Sequence, residues 1–351
     1  MKEPHEESAA LPPRPAKKHS AKSRSEFAFI AQLRRKAFAA ARSSGVVVGI
    51  GDDGAIVCPR TRARLIVAAD MLIEEIDFRR EWTNATQLGH KALAVSLSDI
   101  AAMGARARWA LVALGVPHDV WQTDFLDRFY RGLLALARQS GVALIGGDLS
   151  RSPDRIVIDS IVLGEAQRPV LRSGARPGDL LFVTGALGGA AAGLRLLKAG
   201  ATLPPRSAAA RLIRRHFLPR PRLSWGRYLA EERLATAMID ISDGLSSDLA
   251  HLCRESGVGA TIDAALIPVD PLIVRSSLHD VDPLRLALDG GEDFELLFTV
   301  RPRDVRRLPR ELDGVRAVRI GEVTARRQLV LIRDGQKIPL RPGGFVHFNG
   351  R

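Results

Sequence analysis

Short apolar runs that stop at an acid recur through this chain, and they restrict its possible folds more than any other feature. Val46–Ile50 runs into Gly51-Asp52-Asp53, Leu65-Ile66-Val67 leads to Asp70, and Val142–Ile145 leads to Gly146-Gly147-Asp148. Ala237–Ile241 repeats the pattern with Asp240 and Asp243. An apolar run of this length bounded by turn residues reads as a strand that ends where the chain must reverse. Glycine beside the acid permits positive φ or close approach of the backbone to a ligand. Adjacent carboxylates repel unless a cation sits beside them. Taken alone, Asp52-Asp53 is more often a solvated hairpin turn. The recurrence is what makes the acids a candidate set.

Helical segments separate the strands. Ser25-Glu26 opens an amphipathic stretch running to about residue 42, with Phe27, Ile30, Ala31 and Leu33 on one face. Asn84 is a predicted N-cap for the helix Ala85–Met103, whose buried side carries Leu88, Ala92, Val95 and Ile100. Ser96 and Asp99 share a face near its end. Val120–Gln139 reads as one long helix, and Arg172–Asp179 as a turn-rich connection between two halves. The turn Gly185–Gly189 reads as the start of a helix more readily than as a phosphate cradle, because the GxGxxG spacing is missing. The strands and helices do not alternate strictly as in a doubly wound sheet, so the expected class is α+β with mixed sheets and helices packed on one face.

With 351 residues there is room for two cores. Residues 1–25, rich in Pro, Lys, Ser and Ala, read as a disordered basic tail. Residues 26–168 and 169–351 are the two expected domains. No run of eighteen apolar residues exists, so no transmembrane helix is expected. Cys58 and Cys253 make neither a disulfide framework nor a zinc site, and a cytoplasmic location is expected. Lys and Arg number 52 against 39 acids, a net charge of +13. Outside the tail this excess is spread as single arginines, without a basic stripe or interleaved aromatics, so nucleic acid is not the expected partner.

The chain has no Gly-x-x-x-x-Gly-Lys-Ser/Thr, no protein-kinase loop set and no Gly-x-Ser-x-Gly elbow. Acids at strand and helix ends are suited to presenting oxygens to Mg²⁺ on nucleotide phosphates. Each of them alone also reads as a cap or turn residue. Arg172, between the halves, suits either bidentate phosphate binding or a linker salt bridge.

Six stretches in order resemble the thiamine-monophosphate kinase family, part of the aminoimidazole-ribonucleotide synthetase-like ATP-binding superfamily. They are Gly49–Asp53, Lys91–Gly104, Leu144–Asp148, Arg172–Ala175, Ile239–Asp248 and Gly290–Leu296. The resemblance runs from about Glu26 to Phe348. It implies ATP-dependent phosphorylation of thiamine monophosphate to thiamine diphosphate by direct in-line transfer, with several Mg²⁺ ions and ATP as co-substrate, in a homodimer. It further implies metal binding by Asp53, Asp70, Asp99, Asp148, Asp240 and Asp243. Tyr130, Gly147, Asp148, Arg172 and Ser242 would meet ATP, and Asp77, Glu292 and Phe345 would meet the substrate. The chain departs from the family at Ala68-Ala69, where hydroxyls usually precede the acid, at Asp77, where histidine is common, and at Leu149, where a hydroxyl is common. These departures bear on metal number and substrate affinity more than on reaction class. Hydrogenase-maturation and selenophosphate-forming relatives use a terminal cysteine or selenocysteine, which this sequence lacks.

Overall fold

The computed structural model describes residues 26–41, 45–48, 50, 56–59, 62–200, 206–276, 278 and 280–345. The expected tail, and residues 51–55 with Asp52 and Asp53, where a turn was expected, lie outside them.

The first half comprises α1 (Glu26–Ala41), the short strands β1 (Val46–Val48) and β2 (Ile56–Val57), β3 (Arg64–Ile73), α2 (Ala85–Ala102), β4 (Arg106–Val116), α3 (His118–Trp121), α4 (Phe125–Ser140), β5 (Ala143–Arg151) and β6 (Val157–Ala166). Its four-stranded sheet has the order β3-β6-β4-β5, antiparallel except for the β4/β5 pair. That parallel pair needs a crossover, which α3 and α4 supply. The expected single helix over 120–139 is broken. Thr123 Oγ1 donates to the Val120 carbonyl and accepts from the Phe125 amide, so a local side-chain bond ends one helix and starts the next.

Helix α2 organises the molecule. Asn84 and Gln87 form the capping box that starts it, Oδ1 of Asn84 accepting from the Gln87 amide at 2.9 Å. It is buried on nearly every side, and its buried polar groups, Lys91, Ser96 and Ser98, all have partners across the packing. One face packs on the sheet and on α4, and the other meets the second half through α7 and β8.

The second half comprises β7 (Leu180–Thr184), α5 (Gly189–Lys198), α6 (Ala208–Phe217), α7 (Leu223–Glu231), β8 (Ala235–Ile241), α8 (Leu245–Ser256), β9 (Gly259–Asp263), α9 (Pro271–Val274), α10 (Pro283–Asp289), β10 (Glu295–Val300), β11 (Glu311–Leu312), β12 (Val315–Thr324), β13 (Leu329–Arg333) and β14 (Gln336–Pro339). Its sheet runs β14-β13-β9-β12-β7-β10-β8, with β11 paired to β12. Strand β8 is the edge, and it lies against α2. A shared apolar cluster joins the halves: Ala101 and Ala102 of α2 pack with Trp225 of α7 and Phe298 of β10. The α+β class and the mixed sheets are as expected.

Candidate active site

Three acids from three elements converge where the halves meet. Asp70 projects from β3 toward α2. Asp99 lies near the end of α2, and Asp240 near the end of edge strand β8. Burial, partly offset by a hydrogen bond from Ser96, and then the charge of Asp159 hold Asp70 above the usual carboxylate range. Its Oδ2 is buried and has no hydrogen-bond partner. Asp99 is pushed up to about 8, first by burial and then by the charges of Asp240 and Asp70, with Arg172 opposing. Asp240 is 3% exposed and rises to about 6. Burial dominates, opposed by a hydrogen bond from Ser98; Asp70 adds to the rise and Arg172 offsets it. Arg172 therefore belongs to this group from the connecting segment.

Asp243 opens the turn into α8, and Asp248 supports that turn from within the helix. Asp248 Oδ2 accepts the amides of Asp243 at 3.2 Å and Gly244 at 3.0 Å. Burial, then Asp240 and Asp243, raise Asp248 to about 8. Asp248 lies inside the Ile239–Asp248 motif, which by itself assigns it no role. Its signal was an acid in the first turn of a helix, a position that favours negative charge.

A second cluster surrounds Glu292. Lys91, buried on α2, places Nζ 2.6 Å from Oε1 of Glu292, and His216 Nδ1 lies 2.7 Å from Oε2. Burial alone would raise Glu292, but Lys91 and His216 outweigh it and bring it down to about 2. Its backbone is left-handed, φ +68°, and its amide donates to the Ser242 carbonyl at 2.8 Å. Thus Glu292 and Ser242 are tied together. Phe345 is exposed, and its amide donates to the Asp243 carbonyl at 3.1 Å.

Other expected site residues fall elsewhere. Asp148 is exposed on β5, while the next residue, Leu149, packs into the core. Alternation along the strand therefore sets Asp148 on the sheet face opposite Asp70. Gly147 has φ +151°, and a side chain there would strike the Val112 carbonyl oxygen, so close strand approach explains this glycine without a ligand. Tyr130 lies in the apolar core with Phe29 and Phe129 at centroid distances of 5.7 and 5.4 Å, not at the acidic cleft. Asp77 closes the turn after β3, its Oδ2 accepting the Ile73 amide at 2.8 Å. The turn at Gly185–Gly189 is filled from within. The Asp293 carboxylate accepts the amides of Gly188 and Ala190 at the start of α5, as the helix-start reading expects.

The donor chemistry fits a divalent cation: acids are held together against their repulsion, and one buried oxygen is left without a partner. Among the described residues no three His, Cys, Asp or Glu side chains are spaced to hold one ion.

Comparison with known proteins decides the family. Residues 51–166 match the AIR synthase related protein N-terminal domain, and 176–334 match the corresponding C-terminal domain. The thiamine-monophosphate kinase of Escherichia coli K12 is 39% identical over 330 residues, covering 92% of this chain and 98% of that protein. The chain belongs to the thiamine-monophosphate kinase family. A crystal structure of thiamine-monophosphate kinase from Stenotrophomonas maltophilia K279a superposes with TM-score 0.79 at 35% identity, covering 89% of this chain and 98% of the other. AaThiL complexed with AMPPCP and TMP gives TM-score 0.74 at 30% identity, covering 92% and 97%. The Escherichia coli hydrogenase maturation protein HypE shares the fold alone, at 18% identity and TM-score 0.69. Within the thiamine-monophosphate kinase family, the acids at the junction of the halves are the natural candidates for the reaction centre.

Proposed function

We propose that this chain transfers the terminal phosphoryl group of ATP to thiamine monophosphate, giving thiamine diphosphate. The observation that carries this reading is the likeness, over nearly the whole of both chains, to AaThiL complexed with AMPPCP and TMP. The convergence of Asp70, Asp99, Asp240 and Arg172 from both halves supports it. In-line phosphoryl transfer asks a protein mainly for positioning and for charge neutralisation. Asp70, Asp99 and Asp240 would hold Mg²⁺, with Asp243 and, from the segment outside the described residues, Asp53 joining them. Mg²⁺ bound there would neutralise charge on the transferring phosphate.

The chain's own groups have separable tasks in this reading. Arg172, a planar donor beside the acids, would meet phosphate oxygens directly. Ser98 holds the Asp240 carboxylate in place through its hydroxyl. Glu292, kept ionised by Lys91 and His216, presents an anion toward a cationic substrate such as thiamine, and the exposed Phe345 ring offers it an apolar face. Gly147, Ser242, Asp148, Tyr130 and Asp77 remain proposed contacts, of which Asp148 would serve from the other sheet face. We assign residues 26–168 and 169–351 as the two domains.

A homodimer is part of the proposal. Leu65, Val67 and Met71 alternate along the outward face of β3, all exposed, and Val67 keeps 61% of its surface open. A second copy would cover such an apolar row. No described helix is long and apolar enough to cross a membrane, and we place the protein in the cytoplasm.

The deciding experiment mixes purified protein, Mg²⁺, ATP and thiamine monophosphate and measures thiamine diphosphate. Product above a no-enzyme control is expected, and Asp240→Asn should lower turnover by about 100-fold or more while keeping the fold. Absence of product with ATP binding intact would refute the kinase reading. A monomer by light scattering at micromolar concentration would refute the dimer.

A further inference from the structure

A cavity of about 1350 Å³ opens between the two halves, away from the acids Asp70, Asp99 and Asp240. It is larger than most ligand pockets, which fall between roughly 300 and 1,000 Å³. Its walls come from the ends of α4, α6 and α7, the segment joining α6 to α7, and the loop before β12.

Charge is what distinguishes it. Three of its four acids are already matched by fixed partners; the fourth, Asp313, is exposed in the loop before β12. Glu292 is held by Lys91 and His216. Asp293 accepts the Gly188 and Ala190 amides. Glu295 is gripped by two guanidinium nitrogens of Arg222 and by the Thr184 hydroxyl. Four arginines of the wall are not matched in this way, unlike Arg215, which pairs with Asp270, and Arg316, which pairs with Glu311. Arg138 on α4, Arg211 and Arg214 on α6, and Arg220 after it all line the cavity and are exposed. None of the four has an ion pair with any described residue. The positive field is felt nearby: His90, also in the wall, is held below its ordinary pKa first by burial and further by the charge of Arg220.

We propose that this cavity is a second anion site, taking a small molecule that carries two or more linked phosphates. Several unpaired guanidinia facing one concave space suit a compact polyanion, because each fork can take two phosphate oxygens. A cation is not needed here. That separates the site from the carboxylate cluster, which repels phosphate unless a metal intervenes. A nucleic-acid strand fits less well. The one tryptophan in the wall, Trp225, is buried, with its Nε1 donating to the Val315 carbonyl, so no aromatic platform is open for base stacking.

The test titrates the full chain with inorganic triphosphate in EDTA by calorimetry, so that metal-dependent binding at the carboxylates does not contribute. Saturable binding of one triphosphate per chain is expected, weakening steeply as salt is raised. Arg211→Ser/Arg214→Ser/Arg220→Ser should weaken it by about 100-fold or more, since each charge-assisted contact is worth on the order of tenfold. Arg138→Ser, on the opposite wall, should alone cost about tenfold and decides the matter if the triple variant misfolds. No saturable binding up to millimolar triphosphate would overturn the proposal, as would unchanged affinity in Arg138→Ser. Displacement of triphosphate by a single-stranded oligonucleotide that binds tenfold more tightly would overturn it in favour of a nucleic-acid surface. Each of these outcomes is independent of whether the chain makes thiamine diphosphate.

Discussion

The Ser98 hydroxyl donates to Oδ2 of Asp240 at 2.7 Å, binding a helix of the first half to the edge strand of the second. Both residues are buried. The bond does two things at once: it latches the halves together and it stabilises the ionised form of an acid that burial would keep protonated.

Ser98→Ala removes that donor and leaves a buried carboxylate oxygen unsatisfied. The expected cost is about 1–3 kcal/mol in urea denaturation. The acid limb of the Mg²⁺-dependent rate should also move to higher pH, because Asp240 loses the bond that lowers its pKa. Unaltered stability together with an unmoved pH limb would show that the bond is not formed.

Lys91 and Glu292 form a buried pair, so removing one partner should cost more than removing both. Lys91→Met is expected to destabilise by about 3 kcal/mol, toward the low end for buried pairs because Glu292 keeps some exposure. Adding Glu292→Gln should recover part of that loss. A double variant no more stable than Lys91→Met alone contradicts the pairing.

The raised acids give the metal-free protein a pH dependence with a definite sign. The folded-state pKa values of Asp99 and Asp248, each about 8, lie above the unfolded value near 4. Their contribution to stability is therefore fully present at pH below about 4 and is lost as pH rises through about 8. Urea midpoints in EDTA should fall between pH 5 and 9, and Asp99→Asn should flatten the slope. Glu292 acts in the opposite sense. Depressed to about 2, it stabilises above pH 4.5 and loses that effect only as pH falls toward 2. A midpoint that climbs between pH 5 and 9 would contradict the acid cluster.

Gly147 separates a structural glycine from a ligand-contacting one. Gly147→Ala should destabilise by about 1–3 kcal/mol, through the +151° φ and the Val112 carbonyl in the way of a side chain. Unchanged stability would show that the strand approach does not require glycine, and a raised KM for ATP would support the proposed ligand contact in either case.

The α+β class, the N-cap at Asn84 and the helix-start reading of Gly185–Gly189 were legible in the sequence, because each is governed by neighbours within one turn or one element. The expected stop of the strands at their acids was not, since β3 runs through Asp70 to Ile73 and β5 through Asp148 to Arg151, held extended by cross-strand pairing. The ordered motifs likewise carried the family. What stayed hidden depends on register and on contacts between distant segments. Alternation on β5 puts Asp148 and Leu149 on opposite faces, and no local pattern said that Asp70 would face α2. The resemblance sets Tyr130 at ATP, and its burial against Phe29 depends on α1 packing over it, which no local pattern reports.

By itself the sequence determined the elements, the candidate acids and a surplus of positive charge scattered as single arginines. Only the tertiary structure decided which charges meet. Asp70, Asp99 and Asp240 converge although up to 170 residues separate them, because α2 is buried between both sheets. Arg138, Arg211, Arg214 and Arg220 converge on one cavity because the ends of α4 and α6 face each other across the gap between the halves. Electrostatic interaction depends on distance in space, and chain separation places almost no bound on it once a helix and a sheet have packed.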